Sequence, residues 1–292
     1  MEEEVVNSKI CLVAAGHDPD GRWAVHLDAT KPLLESLYTD RIISFSDRTN
    51  SETIDTAISA GWRVDVEPLP VGSARFAVIR RGLFTDSNFI NYWDGDRILH
   101  ATTYGVDELK DIVNRIPHFD FFVAGATPDA IATHQRSMTV WEGVKSWALG
   151  HYLGIDGDIA NRGCFGFSRE YASFLVKHEG SKGDDTDALF AILPLAFRKL
   201  ISQGLLPETG RDLVGYQEYS IATSFEDWMF EGLTREESAK RKNTQKDFTR
   251  RAESVLRAIV LTQRIGEQYD LGFLNPGEET MEMMIKRLAS QF

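Results

Sequence analysis

Residues 10 to 124 alternate short apolar runs with stretches of helical spacing, and few folds accept that order. Ile10-Cys11-Leu12-Val13-Ala14-Ala15 stops at Gly16, the pattern of a buried strand running into a loop. A helical stretch around Leu33, Leu34 and Leu37 leads to Arg41-Ile42-Ile43-Ser44-Phe45-Ser46, after which Asp47-Arg48-Thr49-Asn50-Ser51 is polar and turn-rich. The order then repeats, with helices predicted over 53–60, 73–83 and 107–116 and strands over 62–66, 89–93 and 119–124. Strands separated by helices pair in parallel, because a parallel return needs a long crossover. The expected fold class is α/β, a Rossmann-like, mainly parallel sheet with helices on both faces. Ligands of such sheets lie beyond the carboxyl ends of the strands, so the loops after Ala15, Ser46 and Trp93 are the places for a site.

Composition narrows the function classes. A net charge of −12 argues against a nucleic-acid partner, while a local basic pocket for a diphosphate stays compatible with an acidic body. No apolar run approaches the roughly 20 residues of a membrane-spanning helix. The start Met1-Glu2-Glu3-Glu4 lacks the positive charge of an export signal, so a cytoplasmic location is expected. Cys11 and Cys164 are expected to be buried thiols, and two cysteines cannot make a cysteine-only zinc site.

The last quarter reads differently. Residues 232 to 251 are strongly charged around Lys240-Arg241-Lys242, after which Ala252, Val255, Leu256, Ile259 and Val260 recur at helical spacing. Asn275-Pro276-Gly277 breaks the pattern before Met281, Met284, Ile285 and Leu288 resume it. The expected division is a catalytic sheet domain over 1–225 and a helical C-terminal extension over 226–292, packed on the sheet or joining copies into a homo-oligomer.

Asp-x-Asp occurs four times, at Asp18/Asp20, Asp94/Asp96, Asp156/Asp158 and Asp185/Asp187, so the bare pattern says little. Asp94 and Asp96 stand out because they terminate an apolar strand, and residues two apart in extended backbone project to one side. Two converging carboxylates suit a hard cation such as Mg²⁺ or Mn²⁺ that completes its shell with phosphate oxygens. The competing reading is a solvated acidic turn with Gly95 at its apex. Asp156-Gly157-Asp158 fails as a calcium loop, since Ala160 holds the third ligand position, and reads as a turn. The acids of Gly183-Asp184-Asp185-Thr186-Asp187 open a helix, where capping competes with a role as a base. His17, His100 and His134 lack metal-ligand spacing and read as loop or core residues.

The order of these features over residues 8 to 225 resembles the GT-A glycosyltransferases, especially the family of dolichol-phosphate mannose synthases and of mannosylglycerate and glucosyl-phosphoglycerate synthases. The likeness is carried by Ile10 to Ala15, Asp47, Gly72-Ser73-Ala74-Arg75 with Arg80-Arg81-Gly82-Leu83, Trp93-Asp94-Gly95-Asp96, and Gly163-Cys164-Phe165-Gly166-Phe167-Ser168-Arg169-Glu170 ahead of Gly183-Asp184-Asp185. It implies a nucleotide-diphosphate sugar as donor and a hydroxyl compound as acceptor. Ala15, Gly16, Asp47, Arg75 and Asp94 would contact the donor, Asp94 and Asp96 the metal, and Asp185 would take the acceptor's proton. Many relatives have Gly-Lys-Gly where this chain has Gly72-Ser73-Ala74. Retaining relatives often add a late histidine to the metal, and the last histidine here is His178, which favours inversion. Lys240-Arg241-Lys242 reads as a lid over the diphosphate or as a solvated face.

Two other readings compete. A sugar-phosphate nucleotidylyltransferase would carry a Gly-rich, Arg- and Lys-bearing first loop, which Ala15-Gly16-His17-Asp18-Pro19 does not supply. A non-catalytic scaffold would keep the sheet and use the C-terminal helices for assembly.

Overall fold

The computed structural model describes residues 8–68, 71–134, 136–155, 157, 159, 163–178, 186–221, 237 and 244–271. Its first strands are β1 (Ile10–Gly16), β2 (Asp40–Ser46), β3 (Arg63–Glu67) and β4 (Phe89–Asp94), with helices α1 (Ala24–Leu37), α2 (Ser51–Ser59) and α3 (Val71–Gly82) between them. The chain continues through α4 (Gly95–Tyr104), α5 (Val106–Arg115), β5 (Phe119–Ala126), α6 (Pro128–Ala132) and α7 (Arg136–Leu153). It ends with β6 (Cys164–Ser168), α8 (Arg169–Leu175), α9 (Thr186–Ser202), β7 (Asp212–Tyr219) and α10 (Gln245–Gln268). The sheet has seven strands in the order β3-β2-β1-β4-β6-β5-β7. Strands β1 to β4 are mutually parallel, as the alternation predicts, and β6 runs antiparallel to both β4 and β5.

The chain packs as two compact units. One holds Met1–Val123, Gly163–Gly180 and Thr209–Gly215; the other holds Ala124–Arg162, Ser181–Glu208 and Tyr216–Phe292. In the first, β1, β2 and β4 are buried along most of their length, with Cys11, Leu12, Val13, Ala14, Ile90 and Tyr92 at 0% exposure, while the edge strand β3 is half-buried to exposed. Such continuous apolar runs are what a strand covered on both faces requires. Phe121, Phe165 and Phe167 stack on one another with centroids 5.8 to 6.3 Å apart. Arg169 donates to the carbonyls of Leu83, Thr85 and Ser87, tying α8 to the turn that follows α3. Both cysteines are buried and free; burial pushes the Cys11 thiol up to about 12 and the Cys164 thiol well above its ordinary value.

In the second unit α10 packs on α7 and α9, with Val144 and Val255 joined by Trp141 and Trp147. Among the described residues no helix is long and apolar enough to cross a membrane. Lys240-Arg241-Lys242, the stretch from Met281 to Leu288, and Asp156 and Asp158 lie outside the described residues.

Candidate active site

Strand order alone places the site. The chain builds outward from β1 to β2 and β3, then returns to add β4 on the other side of β1, and at such a reversal the loops part to leave a crevice. Ala15 of β1 pairs with Asp94 of β4 at that point. A cavity of about 660 Å³ opens there, lined by Ala15, Gly16 and His17 after β1, Ser46, Asp47 and Arg48 after β2, Glu67 at the end of β3, Arg75 of α3, and Asp94 and Asp96. Five of the residues expected at a donor site (Ala15, Gly16, Asp47, Arg75 and Asp94) and the proposed metal ligand Asp96 thus line one cavity. Asp185 lies outside the described residues.

The floor of the cavity is set by Trp23 and two glycines. A Cβ on Gly16 would fall 2.8 Å from both the Trp23 and Phe45 rings, and one on Gly95 would fall 2.5 Å from Trp23 and 3.0 Å from the Ala15 carbonyl. Trp23 is held there by the first acid of Asp18-Pro19-Asp20. Asp18 is 3% exposed and accepts from the backbone N–H of Arg22 and Trp23 and from the Thr53 hydroxyl at 2.6 Å. The Asp18/Asp20 pair is therefore loop architecture: Asp20 forms a surface ion pair with Arg22. His17 faces the cavity with Nδ1 2.6 Å from the Ser46 hydroxyl, so it belongs to the wall and not to the core.

Asp94 and Asp96 depart from the geometry their spacing suggests. Asp94 is the last residue of β4, whereas Asp96 already sits in the first turn of α4. Strand alternation ends at Asp94, and the two acids reach the cavity from different elements. The alternation argument belongs instead to Tyr92 and Asp94, which do share extended backbone and one face. The Tyr92 hydroxyl donates to Asp94 Oδ1. Arg75 Nη2 lies 3.0 Å from both Asp94 oxygens, with its guanidinium 5.8 Å from the Tyr92 ring centre. Arg75 is only 6% exposed, so α3 delivers a nearly buried cation to a half-buried carboxylate.

Burial opposes ionisation of Asp94, but the charges of Arg75 and Arg97 and the Tyr92 hydroxyl outweigh it and hold the carboxyl below its ordinary range. The backbone N–H of Asp94 donates to the Gly163 carbonyl at 2.7 Å, and Gly163, at φ +63°, leaves room for its side chain: a Cβ there would lie 2.3 Å from Asp94 Oδ2. Asp96 Oδ1 accepts the backbone N–H of Arg97 at 2.9 Å. Among the described residues no group of three His, Cys, Asp or Glu side chains is placed to hold a metal by itself.

Sequence reasoning missed Tyr92, Arg97 and Gly163 as parts of this corner, along with His17, Arg48 and Glu67 on the wall. Tyr92 carried a usable signal, its two-residue offset from Asp94 in a strand. Arg48 and Glu67 carried none, because each is an ordinary charged residue until β2 and β3 end side by side. Glu67 is partly committed, accepting from Arg81 at 2.8 Å.

No family model matches the chain, and no curated protein matches it at significant similarity. Among solved structures, mannosyl-3-phosphoglycerate synthase from Rubrobacter xylanophilus superposes with a TM-score of 0.52 at 17% identity, covering 89% of this chain and 75% of that one. The chain has the GT-A fold. Glucosyl-3-phosphoglycerate synthase from Mycobacterium tuberculosis, in complex with Mn²⁺, UDP and phosphoglyceric acid, aligns at a TM-score of 0.45 and 16% identity over 72% of this chain and 68% of that one. At these identities the GT-A likeness concerns architecture, and chemistry has to be argued from the cavity.

Proposed function

We propose that the chain is a glycosyltransferase that moves a sugar from a nucleoside-diphosphate sugar to a hydroxyl acceptor. The observation that carries this reading is the single cavity at the strand-order reversal, with Asp47, Arg48, Arg75, Asp94 and Asp96 on its wall. Cations on the wall suit a diphosphate, and an exposed carboxylate at Asp47 suits the hydroxyls or N–H groups of a nucleoside. That a structural neighbour is a mannosyl-3-phosphoglycerate synthase supports the same reading.

In the proposed reaction the acceptor oxygen forms a bond to the anomeric carbon while the bond from that carbon to the diphosphate oxygen breaks. The diphosphate leaves with the electron pair, and Asp185 receives the acceptor's proton. Attack from the face opposite the leaving group inverts the sugar centre. Arg75 is the group on this wall best suited to hold the departing diphosphate, because a guanidinium can meet two phosphate oxygens at once. A divalent ion, Mg²⁺ or Mn²⁺, fits the donor set in part. Asp96 offers a carboxylate at the cavity wall, Asp94 is already engaged by Arg75, and the remaining ligands would come from the donor. When bound, such an ion supplies neutralisation of charge on the leaving diphosphate.

A thermal-shift panel of UDP, GDP and dTDP and their sugars, with and without Mn²⁺, tests the proposal. One nucleotide should raise Tm in a concentration-dependent manner, and Asp96→Ala should abolish the Mn²⁺-dependent part. Absence of any nucleotide effect would remove the transferase reading. Asp185→Asn should abolish turnover while preserving donor affinity, and near-normal turnover would take Asp185 out of the base role.

A further inference from the structure

We infer that Arg75 acts as a gate on the metal site, keeping Asp94 from a divalent cation until a nucleoside diphosphate draws the guanidinium away, so that nucleotide and metal bind as a strongly coupled pair. The inference rests on the glycosyltransferase reading and adds to it a specific role for Arg75 in the order of assembly.

The geometry is the argument. A single nitrogen of Arg75 stands 3.0 Å from each oxygen of Asp94, which is the bisecting position a cation would need in order to use both oxygens. The Tyr92 hydroxyl takes a further lone pair of Oδ1. A divalent ion on this carboxylate therefore meets a positive charge already seated there, on a side chain only 7% exposed, and like charges at that separation repel. Asp96 alone is a single carboxylate, with one oxygen accepting the Arg97 N–H, and one carboxylate is a weak site for a cation that dehydrates reluctantly.

A diphosphate changes the balance. Arg75 and Asp94 both line the cavity, so phosphate oxygens that enter it meet the guanidinium beside the carboxylate and compete for it. Tyr92 lies under the guanidinium and keeps its hydroxyl on Asp94, so the carboxylate stays oriented when Arg75 leaves. The phosphates bring their own oxygens to the cation at the same moment. Arg75 thus exchanges one anion for another, and the carboxylate it releases becomes available only when the nucleotide is in place. By linkage the metal must tighten the nucleotide by the factor by which the nucleotide tightens the metal.

Mn²⁺ binding to the full chain, read by the loss of the free-ion EPR signal, tests this without recourse to turnover. Without nucleotide the wild type should bind Mn²⁺ weakly, and saturating UDP or GDP, corrected for Mn²⁺ held by free nucleotide, should tighten it by at least about tenfold. Arg75→Met should tighten nucleotide-free Mn²⁺ binding by about tenfold and shrink the nucleotide's effect, while Arg75→Lys, which keeps the charge, should stay close to wild type. Equal Mn²⁺ affinity of the wild type with and without nucleotide overturns the gate, even if Arg75→Met proves too unstable to assay. So does an Arg75→Met protein whose nucleotide-free affinity is unchanged. If no nucleoside diphosphate binds under any metal condition, the transferase reading falls first and the gate with it. Nucleotide binding with an ungated metal overturns the gate alone.

Discussion

Two corners of this protein are built from the same charges, one carboxylate facing two cations, and their surroundings give them different uses. In the first unit Asp94 faces Arg75 and Arg97 at the wall of a cavity. In the second, Glu142 of α7 meets Lys145 at 3.4 Å and Arg251 of α10 at 3.0 Å. Glu142 and Lys145 are 5% and 2% exposed, beside the apolar contact of Val144 with Val255. The enclosed cluster is buried beside that contact, and its ions hold α7 to α10. The cavity cluster borders open volume, and there an arriving anion can compete for the arginine. An ion pair becomes a functional device when one side of it is accessible, and it stays scaffolding when neither side is.

The comparison can be broken by removing one member from each. Glu142→Gln removes the carboxylate that Lys145 and Arg251 share and should cost about 3–5 kcal/mol in urea unfolding, with nucleotide affinity per folded molecule unchanged. A loss below about 1 kcal/mol would mean that the cluster is effectively solvated. Gly163→Ala should come next. Its positive φ alone costs about 1–2 kcal/mol, and the new Cβ must also displace the Asp94 carboxylate, so weakened nucleotide binding should accompany the lower Tm.

Arg75→Met should be milder in stability, about 1–2 kcal/mol, because Asp94 keeps Tyr92 and one exposed side. Its larger effect should fall on the nucleotide, and the reverse pattern would make Arg75 scaffolding like Lys145. The smallest expected effect is in acid. Because the folded-state carboxyl of Asp94 titrates below its ordinary value of 3.8, its contribution is complete above that value and is lost as pH falls through the folded one. The stability gap between wild type and Arg75→Met should therefore be constant above about pH 5 and narrow below about pH 4. A gap that persists unchanged in acid would show that Arg75 stabilises the fold by packing and not through Asp94.

Much of the architecture was legible. Continuous apolar runs at β1, β2, β4 and β5 separated by helical stretches admit little besides a parallel α/β sheet, and each expected strand lies where the run lies. β6 and β7 escaped notice. Cys164-Phe165-Gly166-Phe167-Ser168 is short, and its antiparallel pairing to β4 and β5 has no local signature. α4 was missed because Asp94-Gly95-Asp96 reads as a turn, while the structure uses Asp94 as the residue ahead of the helix and Asp96 as the acid that complements its first turn.

The sequence by itself determined the parallel strands, the loops at their carboxyl ends and the acids that arrive there, since period, burial and turn chemistry are local properties. Which charge each acid faces was decided only by tertiary structure. Asp94 meets Arg75 because α3 crosses back over β1 and β4, and Glu142 meets Arg251 because α10 lies on α7. Both encounters join residues far apart in the chain, and electrostatic pairing depends on distance in space and on the surrounding dielectric, neither of which is written in the order of residues.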